Sequence, residues 1–588
     1  MISTDNSACI RRAALALLCA AAPIGAQGAP RRPAPAASTA RTPDVAFDSL
    51  ASQFWQWRAV HQPITSDDIP RILRGSEWVP ALSPASFALK VRALRDFQRQ
   101  WRAIDTTRWS VSRQVDYRLI GSAIHRVEWE LLRLRNHERN ALFWVENTLG
   151  MVHDRLVVPP PFDDERTREL VLRLEAIPGI VADAKRSLSG PVPAIAPFAR
   201  AAIAALSDVR DQLTTMAREL EPFVTGGDVA RIAPAADSAA LALVDFRAWL
   251  QRRLPSMATR TAVGVAQYQW FLDNVALVPF TPAQLAAMGR QEWSRAVSFE
   301  AYERLRNRAR PELPLFPSAQ AQIARQRQQE AEIRRFLDEG ELLTIPAGTG
   351  HYLNRLAPPY LRPLMGFGLN ADHTDAARLG ENGTAWILEP SATLPYFPLS
   401  MARDPRPIIV HEGVPGHFFQ LTLGLRHENP IRRHYYDSGA NEGIGYYAEE
   451  MMLQSGLWDD SPKSREIIYN YMRLRALRVE VDVKLATGEF TMPQAGEYLR
   501  SKVPMDSATA HEEAAMFAAT PGQAITYTIG KLQILGLLAD ARERQGEKFS
   551  VRAFHDFVWK NGNVPIALQR WELLGLTDEV RRLGRERR

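Results

Sequence analysis

From about residue 47 to about residue 340, apolar residues recur every three or four positions in long, nearly unbroken segments. That spacing lines one face of an α-helix and defeats a strand, whose side chains alternate at every second residue. "SPASFALKVRALRDFQRQWRAI" carries it after a Ser-Pro start. "DYRLIGSAIHRVEWELLRLRNH" and "PFARAAIAALSDVRDQLTTMARELEPF" each read as one helix. "TPAQLAAMGRQEWSRAVSFEAYERL" opens with a threonine cap and a proline at the first helical position. The lengths predict a mainly α fold, a large bundle and not a short-repeat array.

Residues 341–410 break the pattern. They are rich in Gly, Pro and aromatics, and "GTAWILEP" and "PRPIIVHE" read as extended, predicting two or three short strands. Helices resume over Glu442 to about Ser455, Ser464 to about Leu485 and Gln523 to about Arg544. The expected organisation is an N-terminal helical lobe over 47–340 and a second lobe over 341–580, with a small β element ahead of its first helix. At 588 residues the chain can bury a large core.

The two ends differ from the body. Arg11 and Arg12 precede the apolar run "AALALLCAAAPIGA", and "AQG" ends it with small residues. This reads as an export signal over 1–28, with an uncleaved anchor as the alternative. Leu18, not a small residue, precedes Cys19, which disfavours lipoprotein processing. Cys9 and Cys19 both lie in this segment, so the mature chain would hold no thiol. A Pro/Ala-rich linker is expected over 29–46 and a basic tail, "RRLGRERR", over 581–588. Those ends carry the positive charge. The chain is +6 overall, but residues 45–580 alone come to −1. No basic stripe with interleaved aromatics appears, so nucleic acid is not an expected partner. No other segment is apolar enough to span a bilayer, so no stable membrane insertion is expected after cleavage. The expected location is periplasmic or secreted.

"IIVHEGVPGHFF", Ile408 to Phe419, holds the densest chemistry. In H-E-x-x-H the two histidines lie about 40° apart around a helix. Here His411 and His417 stand at i and i+6, roughly 120° apart on a regular helix. Pro415 and Gly416 lie between them, where a helix kinks or bulges. If two residues loop out, His417 regains the phase of i+4 and Glu412 stays beside His411. A His-Glu pair before a Pro-Gly turn also occurs without metal.

A second segment, "DSGANEGIGYYAEEMM", starts a helix at Asn441–Glu442 behind polar caps. Glu442 lies 25 residues after His417, a workable place for a third ligand on an antiparallel helix. Glu449 follows on nearly the same face, with Tyr446 between. One acid can ligate while the other orients a histidine. A solvated acidic face is the alternative, most plausible for Glu450.

These blocks, with "TPGQAITYTIGKLQI" and "TPAQLAAMGRQEW", resemble the hallmarks of the bacterial domain-of-unknown-function 885 family, from about 50 to 580. That family is grouped with helical zinc metallopeptidases of the gluzincin type. The resemblance implies a helical bundle around a cleft and one Zn2+ ion. It implies His411 and His417 as ligands, Glu442 as the third and Glu412 as general base. The chain departs from the pattern at Phe418, where members often have a second His, and at Ile444 and Tyr446. An oxyanion would need a further donor. Tyr527 is the first candidate and His511 the second, with a tyrosine packing a helix joint as the alternative. Gln523, Tyr527 and Lys531 share a helix face. His351 and Tyr352 can line the cleft. Arg478 and Asp482 read as an i,i+4 salt bridge, and His125, His137 and His555 as surface or core residues.

The expected function is zinc-dependent hydrolysis of short peptides. The alternatives are a non-catalytic peptide- or ligand-binding scaffold, and a hydrolase of other amides or esters.

Overall fold

Hydroxyl caps and prolines start the helices where the sequence places them. Ser83 accepts from the Ser86 amide ahead of the helix Pro84–Arg102. Thr281 and Gln284 close a reciprocal capping box at the start of Pro282–Arg306. Thr491 and Gln494 repeat it for Met492–Lys502.

The computed structural model describes residues 43–64 and 72–583. The signal-peptide reading, most of the linker and the end of the basic tail lie outside the described residues. The linker's last four residues are helical, because the first helix runs Pro43–His61. Arg581 and Arg582 belong to the short helix Asp578–Leu583 and not to a tail.

The fold is mainly α with one three-stranded sheet. Two of the expected single helices are interrupted. Residues 197–223 form Ala196–Ala205 and Val209–Leu220, broken at Leu206–Asp208. The helix Val111–Glu128 runs into a π-helical turn, Trp129–Leu134. Apolar spacing persists across both breaks, so periodicity alone does not reveal them.

The sheet comprises β1 (Tyr352–Leu356), β2 (Ala371–Asp372) and β3 (Gly383–Ile387), in the order β1-β3-β2. β1 runs parallel to β3 and β2 antiparallel to it. Buried Gln326 covers the free edge of β1. Its amide donates to the Tyr352 carbonyl at 2.8 Å and its oxygen accepts from the Asn354 amide at 3.0 Å. "PRPIIVHE" is not extended. Arg406–Ile408 is one α-helical turn and Ile409–Gly413 a π-helical turn.

The chain from Pro43 onward packs as one compact unit. One core joins Phe54, Leu119 and Leu243 to Tyr360 and Leu568. Another gathers Val410, Ile444, Ile468, Ile534 and Trp559 around the His-Glu segment. Among the described residues no helix is long and apolar enough to cross a membrane.

Candidate metal centre

His411 and His417 come together because the backbone changes course between them. The π turn closes with the Val414 amide on the Ile409 carbonyl at 2.9 Å. Val414 is then extended, and a new helix starts at His417 and runs to Leu425. The expected bulge within one helix is thus a break between two. Gly416 is obligatory at the break, since a Cβ there would collide with the His411 carbonyl oxygen. The Trp559 indole donates to the Pro415 carbonyl at 2.6 Å and anchors the turn. The ring centroids of His411 and His417 lie 4.7 Å apart, both rings buried.

The helix that faces them is Ser438–Gln454, capped by Asp437. It begins one turn before the expected Asn441–Glu442, because Asp437 wins the cap. Gly445 seats both imidazoles: a Cβ there would lie 2.9 Å from His411 Cε1 and 3.0 Å from His417 Cε1. Glu442 Oε2 stands 3.4 Å from His411 Nε2 and 3.1 Å from His417 Nε2. Two ligand bonds of about 2.1 Å at a tetrahedral angle put ligand atoms about 3.4 Å apart, so these two distances are compatible with two edges of a tetrahedral metal site.

Glu412 also belongs to the group. Among the described residues, His411, Glu412 and His417 form a cluster whose ligating atoms lie within 4.8 Å of one another. Two carboxylates therefore contend for the third position. Glu442 is the closer to both Nε2 atoms and the more buried, with its side chain 9% exposed against 24% for Glu412. Glu412 borders the cavity on the side of His373, whose Nε2 lies 3.7 Å from Glu412 Oε2.

Behind the histidines, Glu449 is fully buried and holds His411 Nδ1 at 2.8 Å. That leaves His411 Nε2 facing Glu442 and fixes the ring, as an outer carboxylate does in metal sites. Arg475 pairs with Glu449 at 2.6 Å and passes His411 Nδ1 at 3.3 Å. Three carboxylates (Glu412, Glu442, Glu449) thus face one guanidinium and two imidazoles. With neutral imidazoles the group is two charges negative, which a divalent cation balances. Without a metal, burial and Arg475 push the His411 pKa down, but hydrogen bonds to Glu442 and Glu449 win and hold it up at about 9. Burial raises the Glu442 carboxyl, and the two histidines overcome this and hold it well below its ordinary value. A proton on His411 does part of the work that a metal would do.

The ring of Tyr527 stacks on His411 at 6.3 Å and 14° and lines the same cavity. Burial, and next Glu442, push its phenol well above the ordinary tyrosine value, so it stays an O–H donor at neutral pH. Its helix is Thr526–Gln545, so Gln523 falls in the preceding turn. Gln523 still lines the cavity.

Other expected residues go elsewhere. His511 lines the cavity but is 43% exposed and bonded to the Ser507 carbonyl at 2.8 Å, with no contact to the His-Glu group. His351 is half exposed and bound to Glu330 at 2.8 Å. Tyr352 is buried and lines the cavity, its ring 5.6 Å from that of His373. Tyr446 turns its hydroxyl to the Met472 carbonyl at 3.4 Å, away from the cavity. Arg478 and Asp482 do not pair with each other. Arg478 binds Glu513, and Asp482 accepts from the Gly522 amide at 2.8 Å and the Ile525 amide at 3.1 Å. Glu450 is buried, not solvated, in an ion cluster with Lys531 and Arg295. Phe418 packs on Tyr352 of the sheet at 5.8 Å. His125 is partly buried and His137 and His555 are buried, all against aromatic rings.

The sequence reading missed His373 and Arg475. His373 sits in the strand region with no helical phase to reveal it. Arg475 is 64 residues from His411, and only its buried position in an apolar helix face hinted at a role.

The His-Glu group opens on a cavity of about 1860 Å³, whose lining runs from His411, Glu412, His417 and Glu442 past Asp372 to Glu146.

Two solved structures share the fold. A candidate lipoprotein of unknown function from Shewanella oneidensis aligns with a TM-score of 0.67 at 15% identity, over 91% of this chain and all of its own. A candidate lipoprotein from Colwellia psychrerythraea aligns at 0.70 and 17%, over 89% of this chain and 98% of its own. No curated protein matches the sequence. The family described as "Bacterial protein of unknown function (DUF885)" matches residues 73–347 and 355–572, most of the chain, and the protein belongs to that family.

Proposed function

We propose that the protein is a zinc-dependent hydrolase of short peptides, of the gluzincin type. The observation that carries this is the convergence of His411, His417 and Glu442 at 3.1–3.4 Å, with Glu412 beside them on the cavity wall. His411 Nε2, His417 Nε2 and a Glu442 oxygen would hold the ion. A bound zinc ion supplies Lewis acidity to a water and a carbonyl. Glu412, the most exposed carboxylate of the group, takes a proton from the attacking water and returns it to the leaving amine. Tyr527 donates its O–H to the oxyanion of the tetrahedral intermediate. Glu449 keeps His411 in the tautomer that presents Nε2, and Arg475 offsets the charge of Glu449. The cavity exceeds the usual range of small-molecule sites, about 300–1,000 Å³, which supports an extended peptide over a compact ester. The N-terminal signal reading and the description of similar structures as candidate lipoproteins both support export, to the periplasm or beyond.

Metal analysis of the purified protein and digestion of a peptide library with and without chelator test the proposal. One zinc per chain and chelator-sensitive cleavage are expected. Metal-free protein that does not take up zinc, with no cleavage, would overturn it.

A further inference from the structure

Three π-helical turns occur among the described residues, and two of them line the cavity. One, Ile409–Gly413, carries His411 and Glu412. The other, Glu146–Gly150, opens on Glu146. Single π turns recur at functional positions because the extra residue re-aims a side chain. In the second turn the other polar side chains are used up by structure. Asn147 donates to the carbonyls of Ile64 and Phe143 and accepts from the Ile64 amide. Thr148 donates to the Trp144 carbonyl at 2.8 Å. Glu146 is the polar side chain of this turn that lines the cavity.

Most other acids of the cavity outside the His-Glu group are paired; Glu512, on the helix Ser507–Ala519, is exposed and forms no ion pair among the described residues, whereas Glu146 is partly buried. Asp154 and Glu169 meet Arg155, and Glu169 also meets Arg173. Asp372 meets Arg378 at 2.8 Å. Glu146 forms no ion pair among the described residues, and its neighbours along the cavity wall, Leu142 and Val145, are apolar. Burial alone pushes its carboxyl up to about 7. A carboxylate so placed gains from a cation delivered into the cavity, and the apolar wall suits the methylene stem of a long side chain.

We propose that Glu146 is the specificity-determining residue of this cavity and binds a cationic group of the substrate, either a free α-amine or a Lys or Arg side chain. The inference rests on the hydrolase reading for its reaction but not for its charge preference.

The test uses the full chain, as wild type, Glu146→Gln and Glu146→Lys, against three matched peptides. One is neutral and N-acetylated, one carries Lys behind an acetylated N-terminus, and one has a free N-terminus without Lys. Wild type should favour at least one cationic peptide over the neutral one by about tenfold or more in kcat/KM. That ratio should fall towards one in Glu146→Gln and below one in Glu146→Lys. The Lys and free-amine peptides show which cation is read. Calorimetric binding of the same peptides, with Glu412→Gln as the non-turnover background, gives a second readout. Cleavage with equal ratios in wild type and Glu146→Gln would overturn the role of Glu146 and leave the hydrolase reading standing. Absence of chelator-sensitive cleavage would remove the hydrolase reading. Binding then decides: loss of cation preference in Glu146→Gln supports the inference, and equal binding overturns it.

Discussion

The helix Ser438–Gln454 carries two buried acidic clusters with opposite characters. On one face, Glu442 and Glu449 meet two histidines and one arginine, and the group opens on the cavity. On the other, Glu450 meets Lys531 at 2.7 Å and Arg295 at 2.6 Å, and Glu292 joins both cations. The second cluster has two cations for two carboxylates and does not line this cavity. It ties Pro282–Arg306, Ser438–Gln454 and Thr526–Gln545 together. The first is short of positive charge and reachable from solvent. Burial of charge therefore does not mark a site by itself. An unbalanced group with access to a cavity does, because imbalance in a low-dielectric interior is retained only where something else supplies the missing charge.

The sharpest way to break the comparison is one substitution on the open side. Glu412→Gln should keep its metal and lose about 10²–10⁴-fold in kcat, measured on any peptide the wild type cleaves. Retained turnover would return the open cluster to a structural or ligand-binding role. On the closed side, Lys531→Met should remove up to about 3–5 kcal/mol of stability by leaving two buried carboxylates, Glu292 and Glu450, to share Arg295 alone. Urea unfolding reads this, while kcat per folded molecule stays near wild type. If the loss appears in kcat instead, the two clusters are not separate. Glu449→Gln sits between them. It should weaken zinc affinity about 10–100-fold, seen as faster loss to a competing chelator, with a smaller change in unfolding.

A further test is a pH dependence at Glu146. Its folded pKa, about 7, lies above the ordinary 4.5. Its contribution to stability is thus fully present below pH 4.5 and is lost as pH rises through 7. The urea midpoint of Glu146→Gln should gain on wild type across that window and run level below it. A constant difference would show that the carboxyl is not held in its neutral form.

What could be read in the sequence follows the range of each interaction. The helical class, the capped starts at Ser83 and Thr281, and the His411–Glu412–His417 group rest on neighbours within about two turns, where helix phase is a reliable ruler. Even there the phase argument had a limit. It required a departure from the regular helix near Pro415, but not that the departure would be a π turn, an extended residue and a fresh helix start. Glu449 was legible as a partner because it lies two turns from Glu442 on one face.

Glu450 was not legible. One residue further round the same helix, it reads as solvated until Arg295 and Lys531, 155 and 81 residues away, are brought to it. Arg478 and Asp482 fail for the same reason: i,i+4 spacing permits a bridge, but Glu513 and the Gly522 amide offered each a better partner. By itself the sequence determined that this is a helical chain with an expanded His-Glu-His segment and a Glu-bearing helix able to face it. Only the tertiary structure decided which carboxylate meets both imidazoles, which arginine offsets Glu449, and which acids stay unmatched in the cavity. The physical reason is that spacing fixes a side chain's direction on its own helix, whereas its charge partner is chosen by packing between distant segments.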